Sequence, residues 1–249
     1  MGKIIKGLFP SYEKKDKKVS VIIAAGGSGS RMGLDFNKLF LSVDEKPIIA
    51  YTIDAFEFCT EVDDIIIVAA KRDIELIEDI CHTFEYRKVK HIVEGGSTRQ
   101  ESVLNGLSKI EDTTDIVLIH DGARPLVSSK NIINCIENTQ KYKACTLAVP
   151  VKDTLKRADD EGNINKSVDR DNLFNIQTPQ GFERELIIKA HNHALENKLS
   201  VTDDCSVVEA YGNKVKLIMG DSSNIKLTTP DDYFTISAII AYRSDFEWE

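Results

Sequence analysis

Four stretches of this sequence place glycine beside charged or hydroxylated side chains at spacings that could support chemistry. The first is Ala24-Ala25-Gly26-Gly27-Ser28-Gly29-Ser30-Arg31-Met32-Gly33, followed by Asn37-Lys38. Its apolar lead-in, Val19 to Ala25, reads as a buried strand. A glycine-rich loop after a strand turns several backbone N–H groups toward one point, and the missing side chains let phosphate oxygens approach. The loop is not a Walker A motif, because no Gly-Lys-Ser/Thr follows at the required spacing. It is not a dinucleotide fingerprint either: Gly27 and Gly29 fit, but Met32 holds the third position, and no acidic residue closes a second strand about twenty residues on. Arg31 and Lys38 set the loop apart. A planar guanidinium and a mobile ammonium around a triphosphate can stabilise charge on a transferring phosphoryl group.

The second stretch is Glu94-Gly95-Gly96-Ser97-Thr98-Arg99-Gln100-Glu101-Ser102-Val103. Gly95 and Gly96 lie between a strand end and a helix start, where free backbone groups could read the edge of a flat base. The third is Ile119-His120-Asp121-Gly122-Ala123-Arg124-Pro125. Asp121, just past a strand, could bind a metal or hydroxyls, and Arg124 a phosphate, unless the two only form a structural ion pair. The fourth set is scattered through the C-terminal half: Asp153-Thr154, Asp169-Arg170, Gln177-Thr178-Pro179-Gln180, Thr202-Asp203-Asp204 and Asn224-Ile225-Lys226-Leu227-Thr228. Together they supply hydroxyls, carboxylates and cations suited to a polyhydroxylated phosphate.

The elements that must position these residues alternate. Strands are expected at Val19 to Ala25, Asp64 to Ala70, Val89 to Val93, Ile116 to His120, Ala144 to Val149 and Val215 to Met219. Helices are expected at Pro47 to Cys59, Ile74 to His82, Ser97 to Ile110 (capped by Ser97 with Gln100), Ser129 to Tyr142 and Glu183 to Leu199. A last helix opens at Thr229-Pro230. Repeated strand–helix alternation predicts an α/β fold with a mostly parallel sheet and helices on both faces. Ligands in such sheets bind beyond the carboxyl ends of the strands, so the loops after Ala25, Val93 and His120 should meet at one site. Lys152 to Arg170 interrupts the pattern. It is polar, reads as a β-hairpin turning near Gly162, and has too little apolar surface to join a core, so it is either a solvated loop or an arm that packs on a partner subunit.

Composition narrows the function. The chain has 249 residues, 42% of them apolar, with 32 Lys and Arg against 40 Asp and Glu, a formal charge of −8. That is enough chain for a full core without metal or disulfide staples, and the acidic balance argues against a nucleic-acid binder. No apolar run is long enough for a transmembrane helix, and no secretory signal is expected in the Lys-rich first eighteen residues, which read as a polar tail. The cysteines Cys59, Cys81, Cys135, Cys145 and Cys205 are odd in number and widely spaced, as expected of reduced thiols in a cytoplasmic protein. Cys205 reads as a small buried residue. His191 and His193 read as packing or surface histidines.

The ordered blocks AAGGSGSRMG with NKLF, GGSTRQESV, HDGARP, PVKDT, VDR, QTPQGF, TDDCSVVE and NIKLTTPDD resemble those of the 2-C-methyl-D-erythritol 4-phosphate cytidylyltransferases, over roughly residues 19–243. The resemblance implies a Rossmann-like nucleotidyltransferase fold in a single domain, a homodimer with exchanged hairpin arms (about 152–170), and CTP used with Mg²⁺ or another divalent cation. It implies transition-state stabilisation by Arg31 and Lys38, and positioning of methylerythritol phosphate by Arg170 and Lys226. Thr154, Thr178 and Thr202 fall in the implied substrate pocket, with Asp121 and Arg124 beside them and Asp121 as the candidate metal ligand. Ala24, Ala25, Gly26, Gly27, Gly29 and Gly122 fall around the nucleotide, and Gly95, Gly96 and Ser102 at the cytosine. Ribitol-5-phosphate cytidylyltransferases share several blocks, but NKLF, HDGARP and VDR are more like the methylerythritol enzymes. A catalytically silent nucleotide-sensing domain is the alternative from another class, and the failed dinucleotide fingerprint weighs against an NAD(P) oxidoreductase.

Overall fold

The computed structural model describes residues 17–27, 32–33 and 35–245. Its centre is a seven-stranded sheet. In chain order the elements are β1 (Val19–Ala24), β2 (Ser42–Val43), β3 (Lys46–Pro47), α1 (Ile48–Glu57), β4 (Asp64–Ala69), α2 (Ile74–Thr83), β5 (Val89–Glu94), α3 (Arg99–Leu107), β6 (Ile116–Asp121), α4 (Ser129–Tyr142), β7 (Ala144–Pro150), β8 (Leu155–Ala158), β9 (Ile164–Val168), β10 (Phe174–Glu183), α5 (Arg184–Glu196), α6 (Asp204–Ala210), β11 (Lys216–Met219) and α7 (Pro230–Asp245). The sheet order is β11-β7-β10-β6-β1-β4-β5. Its pairings are parallel except where β10 lies antiparallel between β6 and β7.

Strands β1, β4 and β6 are continuous apolar runs because both faces are covered. One face carries Val21, Ile23, Ile65, Ile67 and Leu118 into a core with Ile49, Ile53 and Phe56 of α1 and Ile132 and Ile136 of α4. The other carries Ile22, Ile66, Val117 and Ile119 against Val103 of α3 and Ile187 and Ala190 of α5. The alternation expected from the sequence is present, with ends shifted by at most three residues and α4 matching at both ends. The α3 cap differs. Thr98, not Ser97, caps it by accepting from the N–H of Glu101, and the Glu101 carboxylate reaches back to the N–H and hydroxyl of Ser97. A Glu at the third helical position serves this reciprocal cap better than Gln100.

Strand β10 was not expected from the pattern. Its sequence, FNIQTPQGFE, carries a proline and little alternation, and its pairing with β7 shifts register between Ile176 and Gln180. A bulge at that point accommodates Pro179 in an internal strand. At the start of the chain, residues 17 and 18 are anchored: the N–H of Lys18 donates to Asp115 and its ammonium pairs with Glu111 at 2.6 Å. The rest of the tail lies outside the described residues. The segment 152–170 is a hairpin: among the described residues β8 pairs only with β9, and Gly162 makes the turn at φ +86°. Among the described residues no helix is long and apolar enough to cross a membrane.

Candidate active site

The carboxyl ends of β1, β5 and β6 open into two adjoining cavities. The first, about 320 Å³, is lined by Ala24, Gly26 and Gly27 after β1, by Lys38, and by Gly96, Ser97, Thr98 and Ser102 around the start of α3. This is where the sequence placed a nucleotide. Arg31 and Gly29 lie outside the described residues. Ala25 is buried, with its N–H bonded to the Val68 carbonyl, and Gly95 is tied to the Ala69 carbonyl, so both support the rim. Gly122 donates its N–H to the Ala24 carbonyl. Gly96 is a close approach: a Cβ there would meet Glu101 Cβ at 2.2 Å. The Ser102 hydroxyl accepts from the Gly96 N–H and donates to the Thr98 carbonyl, which fixes the curve of the loop.

Lys38 owes its place to a neighbour that sequence reasoning passed over. Asn37 is buried and caps the short 3-10 turn Lys38–Phe40, accepting from the Leu39 N–H. Its amide donates to the Ala25 carbonyl and to the buried Asp73 carboxylate, both at 2.9 Å. One side chain thus ties together the end of β1, the Lys38 turn and the start of α2. Asn is common in polar loops, and nothing local in the sequence marks this one as an internal tie.

The second cavity, about 490 Å³, is lined by Arg124, Gln177, Thr178, Gln180, Thr202, Asp203 and Ser206 among others. Three loops interlock to form its floor. Asn224 donates to the Thr178 carbonyl at 2.8 Å, Arg124 donates to the Asn224 carbonyl at 2.7 Å, and the Leu227 N–H donates to the Ala123 carbonyl. Arg124 is therefore already engaged by main-chain carbonyls and by Asp121, 3.6 Å from its Nε.

Asp121, Lys226 and Arg99 line both cavities. The Lys226 ammonium is 2.8 Å from Asp121 Oδ2, and a guanidinium nitrogen of Arg99 is 3.9 Å from Oδ1. Burial pushes the Asp121 carboxyl up, but Lys226, Arg99 and Arg124 outweigh it and hold the group at about 2, fully ionised at neutral pH. Arg99 was part of a sequence block but was given no role. Its other nitrogen pairs at 2.6 Å with the buried Asp204, a partner distant in sequence that only the fold reveals. Asp204 in turn meets the buried His191 at 3.1 Å. Cys205 is buried and its thiol is pushed up by burial, which suits packing and not nucleophilic attack.

Among the described residues no three histidine, cysteine or acidic side chains stand close enough to hold a metal ion. Asp121 is one ionised carboxylate surrounded by cations. That donor set fits a Mg²⁺ carried in by a triphosphate, which needs few protein ligands, and does not fit an ion held by protein alone. Ala25, Gly95 and Gly122 stand behind the rim and line neither cavity, and two of the expected substrate-positioning residues are not brought to either cavity within one chain. Thr154 and Arg170 are exposed at the base of the hairpin, where the Arg170 guanidinium donates to the Lys152 carbonyl.

A mostly parallel sheet that gathers the start of a glycine-rich loop, the cations Lys38, Arg99 and Lys226 and two adjoining cavities at the carboxyl ends of its strands has the architecture of an α/β nucleotidyltransferase. The family is set by comparison: the model of the 2-C-methyl-D-erythritol 4-phosphate cytidylyltransferases matches residues 19–242, and the chain belongs to that family. It is 45% identical over 219 residues to the enzyme of that name from Clostridium tetani, covering 88% of each chain. It is 46% identical over 215 residues to the one from Caldanaerobacter subterraneus subsp. tengcongensis, covering 86% of this chain and 95% of the other. Among solved structures, 4-diphosphocytidyl-2C-methyl-D-erythritol synthase from Anaerococcus prevotii is similar with a TM-score of 0.79 and 34% identity, over 90% of this chain and 99% of that one.

Proposed function

We propose that this chain transfers CMP from CTP to 2-C-methyl-D-erythritol 4-phosphate. A phosphate oxygen of the polyol phosphate bonds to the α-phosphorus of CTP. The bond from that phosphorus to the β-bridging oxygen breaks, and pyrophosphate leaves with its electrons. The nucleophile is already an anion, so no strong general base is required, and catalysis is positioning plus charge stabilisation. The observation that carries this reading is the shared wall: Asp121, Arg99 and Lys226 border both cavities, so a nucleotide in one and a polyol phosphate in the other would meet there.

In this reading Lys38 and Arg31 neutralise the phosphoryl centre, and Lys226 holds the incoming phosphate. Thr178 and Thr202 line the polyol cavity, and the Gly95–Gly96 loop with Ser102 reads the cytosine edge. Asp121, the carboxylate that lines the nucleotide cavity among the described residues, would hold a Mg²⁺ brought with the triphosphate, which would neutralise phosphate charge there. Two chains exchange hairpins, so that Thr154 and Arg170 of one chain reach the cavity of the other. The free thiols of the five cysteines suit a cytoplasmic enzyme.

The test is incubation with Mg²⁺ and CTP plus either methylerythritol phosphate or ribitol 5-phosphate, with pyrophosphate release as the readout. Turnover dominated by methylerythritol phosphate is expected. Turnover dominated by ribitol phosphate would reassign the substrate, and CTP binding without turnover on either would make this a sensing domain.

A further inference from the structure

Behind the wall shared by the two cavities stands a buried carboxylate that the reaction described above leaves unused. Asp204 Oδ1 lies 3.1 Å from Nε2 of the fully buried His191, and Oδ2 lies 2.6 Å from Nη1 of Arg99. A carboxylate oxygen accepts, so His191 and Arg99 both donate, and the carboxylate is fixed from two sides. His191 is on α5, Asp204 opens α6 and Arg99 opens α3, so three helices meet at this one group.

Arg99 is an unfavourable residue for its position. It is the first residue of α3, where the helix dipole disfavours a cation. A buried ion pair adds little stability in return, because desolvating Asp204 offsets much of the attraction. What the pair provides is a fixed place for a charge. Nη1 is used on Asp204. Nη2 lies 3.9 Å from Asp121 Oδ1, beyond hydrogen-bond reach, and the other Asp121 oxygen is taken by Lys226 at 2.8 Å. Arg99 thus borders both cavities with one nitrogen anchored and the other clear of the nearest carboxylate. A planar guanidinium can face two ways at once, whereas a lysine ammonium is a single point of charge.

We propose that Asp204, braced by His191, is a positioning residue for the transfer: it holds Arg99 by one nitrogen so that the other meets a phosphate oxygen where the two cavities join. This rests on the CTP and polyol phosphate reading above. Two anions must approach each other at that junction. A guanidinium fixed there is in place before they arrive, so nothing has to reorganise as charge develops. Without the anchor the guanidinium is drawn to Asp121, the next carboxylate, and is lost to the phosphates. His191 keeps the Asp204 carboxylate turned toward Arg99.

Kinetics and a spectroscopic readout test it. Arg99→Lys keeps the charge at a partly exposed position, so unfolding by urea should stay near wild type. Its kcat should fall about 10–100-fold, the scale of a charged hydrogen bond. Asp204→Asn should lower kcat to a similar degree with KM for CTP nearly unchanged, and the double variant should be no slower than Arg99→Lys, because two groups acting through one contact are not additive. Near-normal kcat in Arg99→Lys, or losses that multiply in the double variant, overturns the proposal. Should Asp204→Asn fail to fold, His191→Leu removes the brace and His191→Gln keeps a donor: the first should lower kcat and the second restore it, and equal kcat in the two contradicts the brace. The spectroscopic readout is NMR of the protein labelled with ¹⁵N-arginine, with the Arg99 signals assigned by their loss in Arg99→Lys. A guanidinium held at one nitrogen rotates slowly and should show separate Nη signals that merge in Asp204→Asn. Signals merged in the wild type, or still separate in Asp204→Asn, overturn the anchor. If the wild type does not use methylerythritol phosphate at all, the functional reading fails, while the NMR result still decides whether Asp204 holds Arg99.

Discussion

The floor of the polyol cavity and the hairpin arm hold implied substrate groups in opposite ways. On the floor, Asp121, Thr178 and Asn224 are buried, and bonds from other loops of the same chain fix each of them. The arm, β8 and β9, bonds mostly to itself and is exposed along nearly its whole length, with Ile164 68% accessible. One part of the site is complete in a single chain. The other, with Thr154 and Arg170, lines neither cavity among the described residues. In the proposed isologous dimer each arm would find its floor on the partner.

The largest effects should come from the two cations assigned to the nucleotide. Lys38→Ala and Arg31→Ala should each lower kcat about 10²–10³-fold, the scale of one preorganised donor. Unfolding by urea should move far less. Near-normal turnover at saturating CTP would remove the residue from the reaction. Arg170→Ala should lower kcat/KM for methylerythritol phosphate about 10–100-fold, as expected for a charged hydrogen bond, and leave the affinity for CTP unchanged. A loss of CTP affinity instead would put Arg170 on the wrong substrate.

Asn37→Asp sharpens the comparison from beside the nucleotide cavity. The variant keeps the cap on the Lys38 turn but loses the donors to Ala25 and Asp73 and sets two carboxylates face to face. Its kcat should fall about tenfold. It should then recover in part as the pH is lowered, because two adjacent carboxylates can share one proton. A deficit independent of pH would show that Asn37 does not act through Asp73. The smallest effect belongs to the far end of the arm, at Ile164. Ile164→Ser should leave unfolding within about 0.5 kcal/mol of wild type, yet weaken self-association in sedimentation. Unaltered association would place this side chain in solvent.

Most of the sheet could be read from the sequence because its strands are continuous apolar runs between amphipathic helices, a local signal. The glycine loop and the His120–Arg124 turn were legible because their residue types are unusual at strand ends. Strand β10 was not. Its Pro179 and polar residues are tolerated only because β6 and β7 flank it and a bulge absorbs the mismatch, and both facts are non-local. Arg99 and Asn37 were missed for the same reason. Each is an ordinary loop or cap residue until its distant partner, Asp204 or Asp73, is folded against it.

The composite site is tested most directly by mixing Arg31→Ala with Arg170→Ala after subunit exchange has been demonstrated. Each parent dimer lacks one function at both sites. In the mixed dimer one site collects both defects and the other has neither. Random exchange makes half the dimers mixed, so about a quarter of wild-type activity should return. If exchange occurs and no activity returns, Arg170 serves its own chain and the arm does not cross.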